Sequence, residues 1–215
     1  MRGLCACRVE IVKCWGCACA VGLVERCNAE GIAPYGGLMP EYRRNRVEGG
    51  CYFFTVNLWD RRSSLLVEKV ELLRECVRRV RAGRPFHVDA WVVLPEHMHA
   101  VWTLPAGDDD FSTRWGSIKR MFSAGVQGGE ARSEGRLRRG ERGIWQRRFW
   151  EHTIRDGRDY AAHVDYVNFN PVKHGLVAAP GDWPFSSFRR AVARGAYPAD
   201  WAGGREGEEA RGERV

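Results

Sequence analysis

The stretch from Phe86 to Leu104 constrains the fold more than any other part of the chain. Two strand-forming runs, Phe86 to Leu94 and His97 to Leu104, are separated only by Pro95-Glu96, so they are expected to pair as a tight antiparallel hairpin. In the second run Met98, Ala100, Trp102 and Leu104 alternate onto one face, which leaves His97 and His99 on the other. Side chains two apart on a strand leave the same face about 6.5 Å apart at the backbone, so both imidazoles can converge on one ion. The buried face is supplied without either histidine, which weakens a packing role for them. Glu96 does not make this a zinc-protease site, because the His-Glu-x-x-His helix is absent.

Periodicity assigns the remaining elements. Tyr52, Phe54, Val56 and Leu58 alternate onto one face of a first strand. Leu65, Leu66, Val70, Leu72, Leu73, Cys76, Val77 and Val80 fall at helical spacing, and that amphipathic helix ends at Gly83 and Pro85. Asp108-Asp-Asp110 precedes a helical pattern from Phe111 to about Ala124, where the aspartates suit capping; an acidic metal-binding cluster is the rival reading. Ile144 to Ile154 reads as another strand, and Gly157 to about Phe169 as a helix that Asn170-Pro171 should end. The order strand, helix, strand, strand, helix, strand, helix predicts an α+β, ferredoxin-like fold with a central antiparallel sheet and helices packed on it.

One domain, 39–201, is expected. Residues 1–38 hold six of the eight cysteines and read as an unstructured extension, or as sequence upstream of a later start; Cys14-Trp-Gly-Cys17 leaves a zinc knuckle open. Residues 128–143 carry almost no apolar side chains and are expected to be a flexible Gly/Arg-rich loop, and 202–215 a frayed tail. No apolar stretch near the start is long enough to span a bilayer, and Arg8, Glu10 and Lys13 spoil a signal peptide, so a soluble cytoplasmic protein without membrane contact is expected. The net charge of +7 favours a polyanionic partner such as nucleic acid.

The helix beginning at Gly157 supplies the other half of the chemistry. Tyr160, Ala161, Val164 and Val167 form its apolar stripe, whereas Tyr166 falls on the other side with Asp159, His163 and Asn170. A phenol is a poor nucleophile at its ordinary pKa of about 10. A site that uses Tyr166 must therefore stabilise the phenolate and the attacked group, as a divalent cation does by polarising a phosphate oxygen. A surface aromatic at a helix end is the alternative for Tyr166.

Beyond this point the chain resembles a family. Tyr-Arg-Arg at 42–44, Phe-Phe-Thr-Val-Asn at 53–57, Ala-Trp-Val-Val-Leu-Pro-Glu-His-Met-His at 90–99 and Trp-Gln-Arg-Arg-Phe-Trp-Glu-His at 145–152 are the first carriers. His-Val-Asp-Tyr-Val-Asn-Phe-Asn-Pro-Val-Lys-His-Gly-Leu-Val at 163–177 and Asp-Trp-Pro-Phe-Ser-Ser-Phe at 182–188 complete the set. From Met39 to about Gly204 the sequence is similar to the HUH single-tyrosine transposases, specifically the bacterial REP-associated tyrosine transposases. The resemblance implies that Tyr166 is the nucleophile and that His97, His99 and Asn170 hold a divalent metal, Mg²⁺ or Mn²⁺. It implies cleavage of single-stranded DNA through a 5′-phosphotyrosine at hairpins of REP-like palindromes, by a monomer or homodimer. DNA-contact candidates are Arg43, Arg44, Arg61, Arg62, Arg114, Lys119, Arg120, Arg147, Arg148, Lys173, Arg189 and Arg190, with Trp183 and Phe188 as stacking partners. The alternatives are a replication initiator or relaxase with the same chemistry, and a non-catalytic hairpin-binding protein. The extension lies outside the resemblance, and the 128–143 loop is longer than the family leads one to expect.

Overall fold

The computed structural model describes residues 44–127, 138 and 142–203; the expected extension, nearly all of the 128–143 loop, most of the tail and Arg43 lie outside the described residues. Strand β1 (Cys51–Asn57) runs through the middle of a four-stranded antiparallel sheet, with β2 (His87–Val93), β3 (His97–Thr103) and β4 (Trp150–Thr153) in the order β2-β3-β1-β4. The hairpin forms as the spacing dictates, with Val93 opposite Met98 and Val92 opposite His99. A bulge between Val88 and Ala90 shifts the outer end of β2.

The two faces of the sheet have different occupants. Tyr52, Phe54, Val56, Met98, Ala100 and Trp102 build the main core with α2 (Val70–Gly83) and α3 (Phe111–Gly125), which contribute Leu73, Cys76, Trp115, Ile118 and Phe122. Trp102 stacks on Trp115 with ring centroids 4.1 Å apart, a packing worth about 1 kcal/mol beyond the area buried. The opposite face of β1 and β3 carries Phe53, Thr55, His97 and His99, and α4 (Gly157–Lys173) packs on β2 and β3. Because β3 is covered on both sides, its histidines are buried despite their polarity.

Three elements differ from expectation. The first helix is broken at Lys69 into a single turn α1 (Leu65–Glu68) and α2, because Leu66 N–H donates to Pro95 O and ties that turn to the hairpin bend. The strand expected from Ile144 shortens to β4; before it, the backbone pairs with the end of β1 and the residues just after it through Trp59 N–H to Ile144 O, Gln146 N–H to Asn57 O and a bridge at Leu58–Trp145. Finally, α4 does not stop at Asn170 but runs through Pro171 to Lys173. Its end is a Schellman motif: Leu176 N–H donates to Pro171 O, Gly175 N–H to Val172 O, and Gly175 takes φ +67°. That cap satisfies the last carbonyls and outweighs the bias of a residue before proline against helix.

Asp110 caps α3 by accepting from Thr113 N–H, so the aspartate run serves the helix start. Arg114, expected at DNA, is a correction: it is 1% exposed and clamps Asp108 bidentately at 2.9 and 2.6 Å. It also donates to the carbonyls of Arg84, Pro85 and Asp110. A guanidinium so enclosed holds loops together and cannot reach a phosphate. Arg114→Met should therefore strip Asp108 of its guanidinium, leaving it only the Asp110 N–H, remove a donor from three carbonyls, and destabilise the chain by roughly 3 kcal/mol. In thermal denaturation this reads as a Tm lower by about 6–12 °C.

Candidate active site

On the α4 side of the sheet, β3 presents His97 and His99 with ring centroids 4.9 Å apart. From α4, Tyr166 places its ring edge-on to His99 at 5.2 Å, and Phe53 packs against both, 5.4 Å from His99 and 5.8 Å from Tyr166. Asn170, one turn beyond Tyr166, is fully buried, and neither its amide oxygen nor its nitrogen has a hydrogen-bond partner among the described residues. The expected apolar stripe holds only in part: Val167 is buried, but Ala161 is exposed and Tyr166, placed on the outer side by periodicity, is 8% exposed against the sheet. The reason lies in the partner surface. The sheet face that meets α4 is itself partly polar, so a polar helix face packs there.

Each imidazole is oriented by a neighbour on its own sheet. His97 Nδ1 donates to Glu96 Oε1 at 2.9 Å, and Arg61 lies 3.5 Å from the same carboxylate. Burial pushes the Glu96 carboxyl up, but the hydrogen bond and charge of His97 outweigh it and hold it below its ordinary value. Thr55, directly across from His99 in the β1–β3 register, lies 3.0 Å from Nδ1 through its hydroxyl. With Nδ1 of each ring engaged by its neighbour, Nε2 is the atom each could offer a metal, as when second-layer hydrogen bonds orient the rings of metal-binding histidines. Sequence reasoning missed Thr55 and Glu96 as orienting groups, because strand register is not written in one strand alone. It also missed His174, the residue that ends α4, whose ring lies 5.1 Å from that of His97.

A second group lies beside the first. Among the described residues, His152, Asp159 and His163 bring three ligand-type atoms within 4.8 Å of one another. The Asp159 carboxylate already accepts from His152 Nε2 at 2.9 Å and from Arg155 N–H at 2.9 Å, while His163 Nδ1 donates to Asp159 O at 2.8 Å. The histidine rings stack at 4.6 Å. Burial alone would raise Asp159; the His152 hydrogen bond and charge and the Arg155 donors reverse that and bring it to about 2. Burial pulls His163 below its ordinary value, which keeps the ring neutral. Since the folded carboxyl is depressed, its contribution to stability is present above pH 4 and is lost as pH falls through the interval down to its folded value. Asp159→Asn should cost roughly 1–2 kcal/mol at neutral pH. Denaturant melts of the two proteins should converge between about pH 4 and pH 2.

The basic residues expected at DNA are scattered in role. Arg61, Arg62, Arg120, Arg147, Arg148, Lys173, Arg189 and Arg190 are exposed. Arg44 lies over the Phe149 ring at 4.0 Å. Lys119 donates to Gln146 O at 2.6 Å, and burial, aided by Arg44, pulls its ammonium down to about 8. Arg190 donates to Val88 O and Arg189 to Gly181 O. Phe188, 1% exposed, is a core ring and not a surface for stacking bases; Trp183 donates its indole N–H to Val93 O. No helix among the described residues is long and apolar enough to cross a membrane.

No family model matches the sequence. Individual proteins do. The chain is 54% identical over 165 residues to the REP-associated tyrosine transposase of Escherichia coli (strain K12), covering 77% of this chain and 92% of that protein. A counterpart from Haemophilus influenzae (strain Rd) is 43% identical over 167 residues, covering 77% of this chain and 94% of its own length. Among solved structures, a REP-associated tyrosine transposase bound to a REP hairpin superimposes with a TM-score of 0.69 at 52% identity, covering 82% of this chain and 99% of that one.

Proposed function

The chain belongs to the REP-associated tyrosine transposases, and from that premise we propose that it cleaves and rejoins single-stranded DNA at REP-type hairpins, with Tyr166 as nucleophile and His97, His99 and Asn170 as the metal-binding set. The observation that carries the reading is the meeting of the phenol with the His97–His99 pair on one side of the sheet, 5.2 Å between the Tyr166 and His99 rings. Asn170 supports it independently. A fully buried amide without partners is costly, and the cost is relieved when its oxygen ligates a cation. Two imidazole nitrogens and an amide oxygen would hold a divalent cation such as Mg²⁺ or Mn²⁺ while leaving positions open for phosphate and water, and the cation when bound supplies Lewis-acid polarisation of the scissile phosphate.

The chain's own residues do the rest. The Tyr166 oxygen forms a bond to phosphorus as the bond from phosphorus to O3′ breaks. The phenol proton passes to water, and O3′ takes a proton from water to become a free 3′-OH. The downstream strand is then held as a 5′-phosphotyrosine that conserves the phosphodiester, so a later 3′-OH rejoins the strand without an external energy source. Phe53 keeps the buried side of the phenol dry, and Glu96 and Thr55 orient the imidazoles. The exposed arginines Arg61, Arg62, Arg147 and Arg148 suit phosphate contacts around a folded hairpin.

The test uses the full chain and palindromic hairpins found beside its gene, labelled at the 3′ end. The expected product is a denaturant-resistant protein–DNA adduct that forms with Mg²⁺ or Mn²⁺ and disappears with chelator. Cleavage leaving a free 5′-phosphate and no adduct, or hairpin binding without cleavage under any metal condition, overturns the reading.

A further inference from the structure

Two turns of α4 separate Tyr166 from Lys173, which puts both side chains on one face of the helix. Lys173 Nζ donates to the Tyr166 phenol oxygen at 3.3 Å and lies 4.6 Å from the ring centroid. The Schellman end at Gly175 fixes the turn from which Lys173 projects. Lys173 is otherwise exposed and has room to remain beside a bound strand.

The other described tyrosines have no ammonium on their oxygens. Tyr52 accepts from Val47 N–H and donates to Val47 O, and burial raises its phenol. Tyr160 donates to Asp89 at 3.3 Å and is pushed up to about 12 by burial and by that carboxylate. Tyr197 donates to Asp165 and is raised likewise. An acceptor keeps a phenol protonated, whereas a cationic donor favours negative charge on its oxygen. Of the four, Tyr166 has the ammonium.

We propose that Lys173 is a catalytic residue in its own right, whose ammonium donates to the Tyr166 oxygen and stabilises the charge there both when it attacks phosphorus and when it leaves during rejoining. Lys173 keeps its proton throughout; the phenol proton goes to water on cleavage and returns from water on rejoining. The role rests on Tyr166 being the nucleophile, and it differs from the phosphate contact expected of this lysine. A residue that stabilises one oxygen in a shared transition state speeds the forward and reverse steps alike, while a phosphate contact acts first on affinity.

The test measures single-turnover adduct formation and rejoining at saturating hairpin and Mn²⁺ for wild type, Lys173→Met and Lys173→Arg. Hairpin affinity is measured for each in a Tyr166→Phe background. The expected result is that Lys173→Met slows both steps by about 10²-fold, leaves Kd within about 3-fold, and is largely rescued by Lys173→Arg. Incorporating 3,5-difluorotyrosine at 166, whose oxygen carries charge more readily, should shrink the Lys173→Met deficit. A rate loss matched by the loss of affinity, or a deficit unchanged by fluorination, overturns the proposal. An adduct that persists in Tyr166→Phe alone sinks the nucleophile assignment, a separate failure with its own readout.

Discussion

Tyr166→Phe should retain hairpin affinity and form no covalent adduct. The substitution removes one oxygen from a ring whose contacts with Phe53 and His99 are made by carbon, so packing survives and the expected change in stability is below about 1 kcal/mol. The chemical loss is of another order. With no oxygen to bond phosphorus, strand scission falls back on water, and the strand-cleavage rate should drop by at least about 10⁴-fold. Denaturing gels with 3′-labelled hairpin read the adduct, and a binding isotherm reads affinity. Undiminished scission by the variant would assign the chemistry elsewhere.

The next largest effect is expected from His99→Ala. His99 is fully buried between Thr55, Phe53 and Tyr166, so its loss removes a proposed ligand and leaves a hole. The first consequence is kinetic: with one imidazole gone, adduct formation at fixed low Mn²⁺ should fall roughly 10³-fold, about 4 kcal/mol of transition-state stabilisation. Raising the Mn²⁺ concentration should recover part of it. The second consequence is structural, a destabilisation of roughly 1–3 kcal/mol from the cavity. A thermal melt measures it and ensures that rates are compared on folded protein. Equal rates for wild type and variant at every Mn²⁺ concentration would remove His99 from the metal-binding set.

Much of this was legible in the sequence because two local signals agreed. The alternation in β3 separated Met98, Ala100 and Trp102 from His97 and His99, and the structure puts those sets on opposite faces. The hairpin followed from the two-residue gap at Pro95-Glu96. What periodicity could not supply was the nature of the surface opposite α4. Periodicity predicts the apolar stripe as the buried one, yet the sheet offers α4 two imidazoles and a threonine, so Tyr166 and Asn170 are buried there. A local rule predicts a stop at Asn170-Pro171; the cap at Gly175 and Leu176, a few residues on, decides where the helix ends. Arg114 and Phe188 show a third limit. Composition marks a residue as cationic or aromatic but does not say which way it points, and both point inward.

The proposed reactive set comes from one strand and one helix of a single polypeptide, and it contains one phenol, Tyr166. On that assignment each copy has a single point of covalent attachment, so it can carry only one severed end at any moment. An exchange involving two ends must then be consecutive within one molecule, with the first end discharged before the next is taken, or shared between two molecules that each bring one. Within one molecule, the proposed assignment imposes sequence in time, not simultaneity, on the DNA it handles.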